Sequence, residues 1–118
     1  MRQLLDVVSD RGSRYAVAGG AVAGREGVDA FLKALKRNKK FARATHNSWA
    51  VLLSDGTPLK GDDGEAGAGN VILRMLEREG LTDTIVVVTR WYGGKHLGGN
   101  RFRHVRTCVR AWLDDPRH

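Results

Sequence analysis

The segment from Thr84 to Thr89 reads Thr-Ile-Val-Val-Val-Thr, β-branched at every position. Such side chains are stiff at χ1 and crowd the preceding turn of a helix, so they favour extended chain. A strand with one wet face alternates apolar and polar positions, whereas a run apolar at consecutive positions is covered on at least one face. This run is therefore expected to be a central strand, and the rest of the chain has to supply its neighbours and its cover.

The cover comes from three stretches with helical periodicity. From Arg25 to Asn38, Val28, Phe31, Leu32 and Leu35 fall at i, i+3, i+4 and i+7 and make one apolar face. From Val71 to Glu79, Ile72, Met75 and Leu76 point inward, and Gly80 supplies a C-terminal stop. From Asn100 to Leu113, with Asn100 as cap, Phe102, Val105, Val109 and Trp112 face the sheet. Neighbouring strands are expected over 3–8 and 14–23, as a hairpin through Ser9-Asp10-Arg11-Gly12. Another is expected from His46 to Ser54, with Trp49, Val51 and Leu53 on one face and Ala50 and Leu52 on the other. Asp55-Gly56-Thr57-Pro58 reads as a turn, and 60–70 and 90–99 as Gly-rich loops. The order is β-β-α-β-α-β-α. The expected architecture is a two-layer α/β (α+β) sandwich, one sheet of about four strands with helices against a face.

The 118 residues suit one domain spanning 1–118. Lys plus Arg is 20 and Asp plus Glu is 13, a net charge of +7, which suits an acidic partner such as nucleic acid, a ribosome or an acidic protein surface. Two basic rows stand out: Lys33, Lys36 and Arg37 opposite the apolar face of the first helix, and Arg103, Arg106 and Arg110 on the last. Each is either a solvated face or a docking surface. The single cysteine, Cys108, excludes an internal disulfide and a Cys-rich zinc site, lies among apolar helix positions as inert core, and suits a reducing cytosol. No apolar run approaches the roughly 18 residues of a membrane helix, so a cytoplasmic chain with no membrane partner is expected.

Three segments are unlike generic scaffold. Thr45-His46-Asn47 opens a strand. Asp62-Asp63-Gly64-Glu65 packs three carboxylates into four positions, followed by Gly67 and Gly69 before a helix. Either Asp62 and Asp63 make a turn while Glu65 meets the helix N-terminus, or the cluster attracts a cation or a basic partner. Arg90-Trp91-Tyr92-Gly93-Gly94, then Leu97-Gly98 and Arg101, joins a strand to a helix through a basic, glycine-bracketed loop. Arg90 either pairs with the acidic cluster or contacts a ligand phosphate. The glycines match no P-loop, Ser48 sits in no nucleophile elbow, and no triad is assembled. No catalytic residue, metal or cofactor is assigned.

Together the three blocks resemble the IMPACT family, also called the YigZ domain, over about Ser13 to Leu113. The short Ala66-Gly67-Ala68-Gly69 stretch and the run Asn100-Arg101-Phe102-Arg103-His104-Val105 are closer to the eukaryotic IMPACT type than to bacterial relatives. Lys95 stands where relatives tend to carry an aliphatic residue. The resemblance implies a fold similar to the second domain of ribosomal protein S5. It also implies stress-responsive translational control: binding the activator of the general-control kinase and so limiting phosphorylation of translation initiation factor 2 alpha, with actin as a further partner. Neither the RWD domain of eukaryotic relatives nor the C-terminal domain of many bacterial ones is seen, so the chain reads as the shared module alone. An RNA- or ribosome-binding module and a small phosphate-ligand or hydrolase-like site remain the alternatives.

Overall fold

The computed structural model describes residues 1–117. Its elements are β1 (Arg2–Asp10), β2 (Ser13–Ala21), α1 (Gly24–Lys36), α2 (Lys39–Ala42), β3 (His46–Leu52), β4 (Pro58–Gly61), α3 (Ala68–Glu79), β5 (Thr84–Trp91) and α4 (Asn100–Asp114). One antiparallel sheet runs in the order β1-β2-β5-β3-β4. The β-branched run is its central strand, as expected. The expected mixed α/β class also holds, with one sheet and packed helices.

Three points of the expected architecture are corrected. A fifth strand, β4, occupies the Pro58–Gly61 stretch read as turn and loop, held by pairing with β3. A short helix, α2, follows α1; the Asn38 side chain accepts the Lys40 N–H at 3.0 Å and caps it. The helices cover both faces of the sheet, giving three layers. Val86 and Val88 pack with Tyr15, Val17 and Ala50 under α3 and α4. Ile85 and Val87 pack with Ala16, Ala18 and Val51 under Val28, Phe31, Leu35 and Phe41 of α1 and α2. Cover on both sides is why β5 shows no alternation.

Local departures are smaller. The hairpin turn is Arg11-Gly12 alone, because β1 extends to Asp10. Arg90 and Trp91 lie within β5 rather than in the following loop. Gly99, not Asn100, is the N-cap of α4, and no side chain caps it. Phe102 does not reach the sheet: it is half-buried, and a Cβ at Gly67 would meet its ring at 3.2 Å. On α3, Leu73 joins Ile72 and Leu76 in the core while Met75 sits at its margin. Gly80 ends α3 at φ 64°, as its position suggested. Cys108 is core, and burial pushes its thiol up to about 12, so it is not a thiolate near neutral pH.

Both borders of the sheet are irregular. In β1 the register shifts between Leu4 and Val8, with Asp6 at φ 52° and Leu5 50% exposed. β4 opens with Pro58, which has no N–H to donate. Among the described residues no helix is long and apolar enough to cross a membrane.

Candidate functional site

Strand register brings the three motif segments together. Arg90 of β5 pairs with Tyr15 of β2 on one side and with His46 of β3 on the other. Directly paired residues of antiparallel strands point to the same face, so the three stand in one row. That row lies at the end of the sheet where α3 and α4 begin.

Glu65 enters this row from the loop before α3. It is 3% exposed, and Arg90 is 6% exposed. Arg90 Nη1 lies 3.1 Å from both Glu65 carboxylate oxygens. His46 Nε2 is 3.2 Å from Glu65 Oε2, and Arg101 Nε, from the first turn of α4, is 3.8 Å from Oε1. A buried carboxylate is tolerable only when its charge is met, and here two guanidiniums and an imidazole surround it. The Arg90 guanidinium also lies 5.7 Å from the Tyr15 ring centre and 5.6 Å from that of Tyr92. Tyr15 is buried, which pushes its hydroxyl up to about 12, with Arg90 pulling the other way.

The reading in which Glu65 meets the α3 N-terminus is corrected, because Asp62 takes that role. Its Oδ2 accepts the Gly67 N–H at 3.1 Å and its Oδ1 accepts the Gly69 N–H at 2.8 Å. The N–H groups that an anion would need are thus occupied from within the chain. Gly67, at φ 89°, gives the turn that aims them. Asp62→Ala removes both acceptors and is expected to cost about 1–2 kcal/mol of stability, the range of a lost N-cap. Urea denaturation checks this; an unchanged midpoint would mean that water replaces the carboxylate without loss.

The other motif residues tie segments to one another. The Asp63 carbonyl lies 2.8 Å from His46 Nδ1, and its carboxylate accepts the Asn47 N–H at 2.8 Å. Buried Asn47 donates to the Phe41 carbonyl at 3.0 Å and accepts from the Thr89 hydroxyl at 2.7 Å, joining α2 to the sheet. Thr45 Oγ1 accepts the Tyr92 N–H at 2.9 Å. A Cβ at Gly64 would meet the His46 ring at 3.1 Å. Leu97 is buried and anchors the loop, with Gly94 at φ 92° and Gly98 at φ 57°. Gly93 N–H donates to Ser13 Oγ at 3.1 Å.

Sequence reasoning missed Ser13, Tyr15, Asp10 and His104. His104 Nε2 lies 2.7 Å from Asp10 Oδ2, and this hydrogen bond holds the Asp10 carboxyl below its ordinary value. The His104 ring also packs on Tyr15, with centroids 5.3 Å apart. Strand order sets Ser13 and Tyr15 beside Arg90, and His104 of α4 joins them through Tyr15 and Asp10. Among the described residues no three His, Cys, Asp or Glu side chains converge as metal ligands would.

The two basic rows do not share a face with one another. Lys33, Lys36 and Arg37 sit on and just after α1, and Arg103 and Arg106 on α4, across the sheet. Arg110 is set apart from its row, because Glu79 holds it at 2.6 Å and Asp114 at 3.5 Å.

A family model described as the Impact N-terminal domain matches residues 11–113, which contain all three motif segments. The chain belongs to that family. It is 39% identical over 117 residues to the Protein IMPACT homolog of Caenorhabditis elegans, covering 93% of this chain and 46% of that one. It is also 34% identical to a solved structure of Yih1, described as a two-domain translational regulator, at a TM-score of 0.55 over 86% of this chain and 42% of that one. A crystal structure of a hypothetical protein superposes at a TM-score of 0.81 and 23% identity, over 96% of this chain and 56% of that one, and shows the shared fold alone. The chain thus spans less than half of these Impact relatives.

Proposed function

We propose that this chain regulates translation by binding another protein, the activator of the general-control kinase, and so limits phosphorylation of translation initiation factor 2 alpha. The likeness to Yih1, a translational regulator 34% identical over 86% of the chain, carries the reading. The geometry of the motif cluster supports binding over catalysis. Glu65 is engaged by Arg90, His46 and Arg101, and Asp62 by the α3 N-terminus, so their charges organise the loops. What the loops turn outward is a docking surface: Tyr92, 44% exposed, with the His96 ring 5.9 Å away and exposed Lys95 beside it. A rigid scaffold under an exposed aromatic is a common basis for a protein contact.

The test uses purified activator and kinase. The chain is expected to capture the activator at about 0.15 M ionic strength, where long-range charge effects are screened. Adding the chain is expected to lower phosphorylation of initiation factor 2 alpha in a reaction that depends on the activator. No capture, or capture abolished by nuclease, would overturn the reading; the second result would favour an RNA-bridged role.

A further inference from the structure

α3 and α4 lie side by side over one face of the sheet, and their outward surface is concave. Val71, Arg74, Met75, Arg78 and Arg106 line a cavity of about 370 Å³. Met75, Arg103 and Arg106 also line a second, of about 380 Å³. Met75 and Arg106 belong to both, so the two hollows form one groove along the helix pair. Arg74, Arg78, Arg103 and Arg106 are exposed, and among the described residues none of their guanidiniums makes a hydrogen bond or ion pair, while the Arg103 charge also acts on Asp10. Arg110 is the exception: Glu79 reaches across from the end of α3 to hold it. The groove therefore has three uncommitted guanidiniums, Arg74, Arg78 and Arg106, along its walls, with Arg103 shared with Asp10, and half-buried Val71 and Met75 on its floor.

We infer that this groove docks an acidic amphipathic helix. Guanidinium is a planar fork that matches carboxylates, and uncommitted forks on both walls suit a helix with acidic flanks. Arg74 and Arg78 are one helical turn apart, the spacing at which carboxylates at i and i+4 of a partner helix also repeat. The floor is what separates this partner from a phosphate backbone. Methionine adapts to irregular apolar side chains and offers nothing to phosphates. Single-stranded nucleic acid draws much of its affinity from bases stacked on aromatic rings, and no aromatic residue lines either hollow. An apolar stripe flanked by acids, laid between two helices, fills the site. The inference deepens the regulator reading and rests on it for the partner's identity, but not for the groove's chemistry.

The experiment measures fluorescence anisotropy of a labelled synthetic helix of about 15 residues, long enough to be marginally helical, with Leu on one stripe and Glu on its flanks. It is run beside a scrambled peptide of the same composition and an RNA oligonucleotide of the same charge. The ordered peptide is expected to bind at least about tenfold tighter than the scrambled one. Reversal by Arg74→Glu with Arg106→Glu is expected to weaken it about a hundredfold, tenfold for each lost charged contact. Arg74→Gln with Arg106→Gln moves it the same way by less, Met75→Ala weakens it without changing charge, and Lys33→Glu with Lys36→Glu leaves it unaltered. Equal binding of ordered and scrambled peptide, tighter binding of the RNA, or indifference to the Arg74 and Arg106 variants would overturn the inference. If the peptide binds and the purified activator does not, the groove stands and the activator reading falls. If the activator binds and both peptides fail, the groove falls alone.

Discussion

Glu65→Gln is expected to lower the unfolding free energy by roughly 3–5 kcal/mol, the cost of breaking a buried ion pair from one side. The magnitude follows from what is left behind. Arg90 is almost wholly buried, and its Nη1 loses a charged partner 3.1 Å away, while His46 and Arg101 lose the carboxylate they share. An uncompensated guanidinium cannot be rehydrated without opening the loop that covers it. For a domain whose total stability is of order 5–15 kcal/mol, such a loss is a large fraction. Urea unfolding should show a lower midpoint at an unchanged slope. The double replacement Glu65→Leu with Arg90→Met removes both charges, and its cost is expected to fall well below the sum of the single ones. A single-variant loss under about 1 kcal/mol would mean that water already screens the cluster.

Gly93→Ala is the second large effect. A Cβ there would stand 2.0 Å from the Gly12 carbonyl carbon and 2.3 Å from the Ser13 nitrogen. Both are backbone atoms of the β1–β2 hairpin, so no side chain can swing away. The loop must lift off the hairpin, breaking the Gly93 bond to Ser13 and disturbing Arg90 beside it. Overpacking costs typically 1–3 kcal/mol, and a collision with backbone is expected to reach about 3 kcal/mol or more. Gly94→Ala is the internal comparison. It has open space but sits at φ 92°, so its cost is expected to be only the left-handed strain of about 1–2 kcal/mol. The ranking of the two thermal midpoints decides the matter; Gly94→Ala falling further would mean that the loop stands clear of the hairpin in solution.

How much of this was legible depends on the range of the interaction involved. The central place of β5 could be read because burial on both faces leaves a local mark, an apolar run without alternation. The number of layers was under-read: a strand covered on one face alternates, so the unbroken run already called for cover on both. Which helices supply each face depends on where α1 returns to the sheet. β4 was hidden because Pro58-Leu59-Lys60-Gly61 has little strand character of its own and exists by pairing with β3. The three motif segments meet through strand register and through the loop before α3. Which carboxylate does which task was not readable: Asp62 and Glu65 differ by one methylene, and the turn at Gly67 sends the first to the helix N-terminus and the second to Arg90. Tyr15 carried no signal because its place beside Arg90 exists only through strand register. Arg110 looked like part of a basic row because its partner Glu79 lies 31 residues away along the chain.

The irregular borders of the sheet restrict how this fold can associate. The kinked backbone at Asp6 and the imino nitrogen of Pro58 each spoil the ladder of donors and acceptors that an incoming extended segment would need. Recruitment through main-chain zippering, by a partner's tail or by another copy of the same polypeptide, is thereby disfavoured on both flanks. Contacts are left to side chains on the helical faces and the glycine-braced loops, where sequence rather than backbone decides which partner is accepted.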